Sequence, residues 1–491
     1  MAQEIPVSQR LPEAATAWVQ RPSVVICAIG ACLALVLGLS IGIGEPTNPV
    51  AVLLGLGLLF LALVHPFAVL ALFWALLPLV PLDGYMFGLF IPNLYQLFCP
   101  ALLIGTAAAS LSRRLRHAIQ PSSVDVGILL FTSAGYVGIV VSGHGEVYKH
   151  YTNAIVFPML FYFVVRLIPL DHRRLGRLMA CQLVSVSICA VLLLWEAQRG
   201  VSSLYQIRYE QIQGLHAPCG PFPAHWTSAA FMAVWPPVFL YAASRGRHNA
   251  LRGFCAVGCL LAVLTCLRTL ERAQILGAAL GLLICLAHPR LRTAGRPFML
   301  SALLAGILGM GFLEAALLPR FRDPEMKPVR AGYREQAAII IASEGWNPLL
   351  GTGFYGASWV TGEREGQHLA IHNLPLQLVT EFGILGTALS VGIIGCSFWA
   401  AVRLLHQRRR GVRVNTALLT AILGVAASLG AISYYHNAYA MSQVTVLMWA
   451  LLGMLTGHPS LFLEHQDPPS GTGELRRAAV PGLRRRTFSK P

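Results

Sequence analysis

Charge is what this 491-residue chain has least of. Only 12% of its residues are charged, against roughly 25% in ordinary soluble domains, while 55% are hydrophobic and the mean hydropathy is +0.62. A water-soluble domain of this size could not bury so much apolar surface. Disordered and fibrous chains are excluded by the same figures, which leaves a polytopic membrane protein. Lysine is scarcer still: of 37 basic residues only Lys149, Lys327 and Lys490 are lysines. There is no disulfide framework and no metal-ligand spacing among the 11 cysteines, because all but Cys219 fall inside apolar runs. Cys255 and Cys259, one helical turn apart, read as small packing residues. A cleavable leader is not expected, since residues 1–20 are polar and the run at 23–43 is long enough to span. Internal repeats are lacking too, which disfavours a transporter made of two related halves.

What is present is a succession of apolar stretches. Spanning lengths occur near 23–43, 48–64, 66–81, 88–110, 124–142, 153–170 and 179–198. They continue near 227–244, 253–267, 273–287, 297–318, 375–402, 415–434 and 438–457. The pair at 48–81 is joined only at His65-Pro66, so the expected fold is an all-α transmembrane bundle of 12–14 spans. Its expected organisation is a segment 1–22, spans within 23–318, one long outer loop at 319–374, spans within 375–457, and a basic, disordered tail at 458–491.

Arginine sets the expected orientation. Arg113/Arg114/Arg116, Arg173/Arg174/Arg177, Arg245/Arg247/Arg252, Arg290/Arg292/Arg296 and Arg403/Arg408/Arg409/Arg410/Arg413 mark alternate connections. The connections at 143–152 and 434–437 hold a single lysine. The arginine-rich loops and both termini are therefore expected in the cytoplasm. Clusters this short, set between apolar runs, account for the net charge of +16 by topology, without a nucleic-acid partner.

The candidate chemistry lies on the opposite side. Arg268 and Arg272 stand at a tight turn between two apolar limbs that are each barely long enough to cross. They read either as anchors reaching to the headgroups or as functional charges. The long loop carries Arg330, Arg334, the turn Asn347-Pro348-Leu349-Leu350-Gly351-Thr352-Gly353, and then His372-Asn373-Leu374-Pro375. A short helix lying on the bundle is expected here, followed by a glycine turn that returns the chain toward His372. Asn373 is suited to cap a helix, with Pro375 in its first turn. His372, just before that helix, reads either as an interfacial histidine or as a neutral proton acceptor. His368 and His372 form HxxxH, but Leu369 occupies the place of a zinc protease's glutamate, so no catalytic metal is expected.

These phrases resemble the O-antigen ligase and O-antigen polymerase superfamily of bacterial membrane glycosyltransferases. The likeness rests on Arg272, Arg330 with Tyr333, Pro348 to Gly353, and the long phrase from His372 through Glu381 and Gly383 to Gly386. It covers 272–386 in detail. Glu271-Arg272-Ala273 departs from the family's Ser-Arg-Gly, and an insertion at 343–346 makes Arg330 and Arg334 alternatives for the second family arginine. The resemblance implies a GT-C-like enzyme of the bacterial inner membrane with a periplasmic site and no cofactor. The implied donor is an undecaprenyl-pyrophosphate-linked glycan, and the acceptor is lipid A-core or a growing polysaccharide. It also implies His372 as base, arginines Arg272, Arg330, Arg334 and Arg268 on the pyrophosphate, and Asn373, Glu381, Gly351 and Gly353 in support. The alternative is a lipid-linked glycan flippase or another multi-span transporter.

Overall fold

A computed structural model describes residues 49–81, 84–86, 89–91, 94–112, 122–143, 147–200, 210–212, 215–246, 248–308, 326–356, 371, 373–409, 412–435 and 441–463. The first expected span at 23–43, His368, His372 and residues 464–491 lie outside the described residues.

The chain folds as a succession of helices: α1 (Pro49–Val64), α2 (Pro66–Leu76), α3 (Leu94–Ser112), α4 (Ser123–Ser142), α5 (Tyr148–Tyr151), α6 (Phe157–Leu167) and α7 (His172–Arg199). Next come α8 (His225–Ala233), α9 (Pro236–Arg245), α10 (Asn249–Arg268), α11 (Arg272–Ala287) and α12 (Pro289–Leu308). The last are α13 (Met326–Ile341), α14 (Leu374–Arg409), α15 (Thr416–Tyr435) and α16 (Ser442–Gly457). A π-helical turn, Thr152–Val156, joins α5 to α6. Among the described residues, α4, α7, α10, α14 and α15 are long and apolar enough to cross a membrane, and apolar stretches of α1, α2, α3, α11 and α16 are shorter.

Large apolar side chains stand on the outside of the long helices, and several polar ones are inside. Leu129 and Val140 of α4 and Val391, Phe398 and Trp399 of α14 are more than half exposed, whereas Thr227, Gln274, Thr380 and Ser428 are wholly buried. Contiguous exposed apolar faces of this kind would drive aggregation in water and fit hydrocarbon instead. Helix ends are set locally. Ser122 and Asp125 form a reciprocal capping box on α4, which ends at Gly143 with φ 76°. Asp171 caps α7 through the Arg174 N–H, and Gly200 ends it with φ 72°.

Chain direction then sorts the charges. α7, α10 and α15 run away from the arginine-rich connections, and α9, α11 and α16 run back toward them. Arg173, Arg245, Arg252, Arg290 and Arg408 therefore gather at one end of the bundle, here the basic end. Gly143, Arg199, His225, Arg272 and Asn373 lie at the other, here the outer end.

The structure departs from the sequence expectation in four places. Two antiparallel hairpins, Gly84–Met86 with Leu89–Ile91 and Glu210–Ile212 with Leu215–Ala217, interrupt an otherwise helical chain. The expected span at 227–244 is two helices, because Pro236 and Pro237 cannot donate backbone hydrogen bonds to the preceding turn. The span expected at 375–402 is 36 residues long, with a non-helical Gly383 inside it. Lastly, residues 458–463, at the start of the tail expected to be disordered, are folded. Pro459–Phe462 is a short 3-10 helix, Leu461 and Phe462 are buried, and Asn415 N–H donates to the Phe462 carbonyl at 2.7 Å.

Two-sided topology is directly testable. Sandwich fusions of alkaline phosphatase after Gly143, Gly200 and Gly345 should be active, and fusions after Gly246, Arg296 and Arg409 should be inactive. An inactive reporter at Gly345 would put the long loop on the same side as the arginine-rich connections.

Candidate functional site

The two glycine-bearing phrases of the long loop fold against each other. Gly383 has φ 63° and ψ −164°, a conformation essentially confined to glycine, and it interrupts the hydrogen-bond ladder of α14. The turn at 347–352 fills the gap. Thr352 N–H donates to the Thr380 carbonyl at 2.9 Å, Ile384 N–H to Pro348 at 2.9 Å, and Leu385 N–H to Leu349 at 3.1 Å. The turn is preshaped by Asn347, whose Oδ1 accepts from the N–H groups of Leu349 and Leu350 at 2.9 and 3.2 Å.

Contact is too close for side chains on either strand of this junction. A β-carbon on Gly383 would stand 2.5 Å from the Leu349 carbonyl oxygen, and one on Gly351 would stand 2.5 Å from that of Glu381. Gly353, with φ 81°, presses on the outer end of α4, where a β-carbon would lie 2.7 Å from Ser142 Oγ. Phe354 packs on Tyr151 and Phe382, and Phe382 stacks on Phe131. The turn is thus wedged between α4 and α14.

Glu381 is buried at this junction. Its carboxylate accepts from Gln377 Nε2 at 2.8 Å and from the Tyr355 N–H, and Tyr355 holds a left-handed φ of 61°. Its role in the structure is therefore to pin the loop to the helix. Asn373 caps α14 as the sequence anticipates, with Oδ1 accepting from Leu376 N–H at 3.0 Å. Its Nδ2 also donates to the Tyr434 carbonyl at 2.7 Å, which ties the cap to the outer end of α15.

The arginine turn leads into α11, which packs along α15. Gly277 of α11 is in contact with Ser428 and Ile432 of α15. Arg272 is the first residue of α11, and its Nε and Nη2 atoms are buried. Leu270 makes the reversal with a left-handed φ of 55° and is itself buried. Arg268 Nη2 approaches the Ala197 carbonyl at 3.5 Å. Arg334 is exposed on α13, whose apolar face sets Ala337 and Ile340 against Ile371 and, at its edge, Trp346 and Leu376. The short surface helix expected in this loop is therefore α13, longer at its start than the apolar run suggested. Asn373 and the helix that Arg272 begins thus both reach α15. Arg334 takes no part in these contacts, and the Arg330 side chain and all of His372 lie outside the described residues.

One pair was missed from the sequence. Glu271 Oε1 lies 2.8 Å from His225 Nε2, 46 residues away in the chain. A partner of Glu271 is thus the first residue of α8. Gln274 Nε2 donates to the Trp226 carbonyl at 3.2 Å, so the same two segments are fastened twice. Pairing over that separation leaves no local pattern to read. Among the described residues no group of three or more His, Cys, Asp or Glu side chains could hold a metal ion.

No family model matches the chain, and no curated protein matches it at a significant level.

Gly383→Ala should destabilise the protein by about 1–3 kcal/mol through backbone strain alone, and further through the clash with Leu349. Faster hydrogen exchange at 347–356 should accompany a lower melting temperature in detergent. Gly392→Ala, a helical site with nothing within 4 Å, should leave both unchanged or slightly improved.

Proposed function

We propose that the chain is a polytopic membrane glycosyltransferase of the O-antigen ligase or polymerase type. It would act at the periplasmic face of a bacterial inner membrane, with both termini cytoplasmic and a GT-C-like bundle of 12–14 spans. The donor is an undecaprenyl-pyrophosphate-linked glycan, and the acceptor is a hydroxyl of lipid A-core or of a growing polysaccharide.

The observation that carries this reading is the interlocking of the Pro348–Gly353 turn with the Thr380–Leu385 break in α14. Two phrases on which the family resemblance rests, separated in sequence by a 14-residue undescribed stretch, form one hydrogen-bonded unit. Ile371 and Asn373, the neighbours of His372, are both anchored at that unit's end of the bundle. Arg272 stands at the same end.

The chemistry follows from those residue types. The acceptor oxygen attacks the anomeric carbon, the bond from that carbon to the pyrophosphate oxygen breaks, and the acceptor proton passes to His372. Negative charge grows on the departing lipid pyrophosphate. A guanidinium meets phosphate oxygens with two parallel donors and stays charged, so Arg272, with Arg330 or Arg334, can stabilise that charge without a metal. A positioned histidine base typically contributes 10²–10⁴-fold.

Arg272→Lys separates this role from membrane anchoring. A lysine keeps the charge and the long stem but not the fork, so the variant should insert and fold normally yet lose most transfer activity. His372→Ala should lose transfer as well, whereas Arg292→Lys at the basic end should remain near wild type. Activity of the wild-type protein should survive EDTA. Wild-type transfer by Arg272→Lys would refute the clamp, and zinc-restored activity after chelation would refute the metal-free mechanism. Glycan analysis of a deletion strain distinguishes the acceptors. Uncapped core with accumulated lipid-linked polymer marks a ligase, single repeat units mark a polymerase, and donor retained on the cytoplasmic leaflet marks a flippase.

A further inference from the structure

The interior of the bundle contains a cavity of about 140 Å³ between α7, α9, α15 and α16. Its wall is almost wholly hydrocarbon, with Leu178, Trp235, Ile422 and Met454 typical of the lining. The lining has a regular extent. It runs from Leu175 to Gln182 on α7, from Val234 to Tyr241 across the proline break, from Leu418 to Val425 on α15 and from Leu447 to Met454 on α16. Seven residues of helical rise on each wall make a slot about 10 Å long, parallel to the helix axes.

All four walls begin about one turn inside the basic end. Leu170, in the connection before α7, also lines the slot. Arg173, Arg174 and Arg177 stand on the first turns of α7, and Arg245 ends α9. Tyr241 is the lining residue nearest that end of α9, and Arg290 stands in the first turn of α12, which packs on α9. At the far end the lining reaches Gln182 and Trp235. The Gln182 amide and the Trp235 indole N–H are buried there and have no hydrogen-bond partner among the described residues. Short of that polar end, a cavity walled by hydrocarbon takes apolar guests.

We propose that this slot holds one acyl chain of an anionic phospholipid from the leaflet at the basic end, with the phosphate held by Arg245 and Arg290. The slot's axis matches the direction of lipid chains, its wall matches their chemistry, and its rim matches the sign of the headgroup. It lies at the opposite end of the bundle from Arg272 and the 347–353 turn, so it is independent of the proposed transfer reaction.

The test uses the full chain in nanodiscs containing phosphatidylglycerol with a photoactivatable diazirine at the end of one acyl chain. Labelling should map to peptides bearing Gln182, Val425 and Leu447, at the far end of the slot. Ala421→Phe, which fills the slot, should reduce that labelling several-fold. Unlabelled phosphatidylglycerol should compete on the wild-type protein several-fold better than phosphatidylcholine, a measurement that needs no variant. Arg245→Glu with Arg290→Glu should remove that preference while leaving labelling by the chain detectable. Label absent from these peptides, unchanged labelling in a folded Ala421→Phe variant, or equal competition by the two lipids would each overturn the proposal.

Discussion

The structure turns on backbone hydrogen bonding where water is scarce. An interrupted helix in apolar surroundings leaves N–H and C=O groups that cost several kcal/mol each if nothing meets them. In α14 the interruption at Gly383 is met by another piece of backbone, the turn at 348–352, with three hydrogen bonds between 2.9 and 3.1 Å. Loop and helix therefore stand or fall together. Because the turn is wedged against α4 through Gly353 and Phe354, the break also fixes where the long loop leaves the bundle.

Charged groups obey the same constraint at both ends. Near the basic end Arg166 is paired with Asp125, and Tyr162, Ser122 and Thr456 complete the hydrogen bonding around them. This joins the start of α4 to α6 and α16. At the outer end His225 and Glu271 fasten the start of α8 to the start of α11. Removing one member of the Arg166–Asp125 pair leaves the other uncompensated, typically at about 3–5 kcal/mol, and each of the two contacts joins helices far apart in sequence. Arg272 follows directly on Glu271, so the backbone that carries it is held by that fastening and by the left-handed turn at Leu270.

Much of this was legible in the sequence, for identifiable reasons. Hydropathy locates most of the apolar helices because each needs a continuous run. Asn373 reads as a cap because its partner, Leu376, is three residues away, and the arginine clusters read as one end of the bundle because they alternate along the chain. Contacts between distant segments were not legible. Nothing at His225 announces Glu271, and the glycine turn at 347–353 is legible as a turn without any sign that it packs on Gly383. The hairpins escaped because three-residue strands carry no period. The structured start of the tail escaped because Leu461 and Phe462 follow a polar stretch, and their anchorage is to a distant segment: Leu463 bridges to Val414, and Asn415 N–H donates to the Phe462 carbonyl.

The two interruptions also differ in kind, and the difference follows from the residues that make them. A glycine break keeps its N–H groups, so it must recruit acceptors and donors, and α14 acquires a docked loop. A proline break instead removes donors, and it leaves the carbonyls one turn back to find others. Between α8 and α9, Trp235 N–H turns back to the Met232 carbonyl, and two thiols of α10 face the same stretch: Cys266 Sγ donates to the Ala229 carbonyl and Cys259 Sγ to that of Pro236. That is a physical use for cysteines that form no disulfide among the described residues. No loop fills this break, and the apolar slot lies beside it. Glycine at one end of the bundle thus produces anchorage, and proline in its middle produces space.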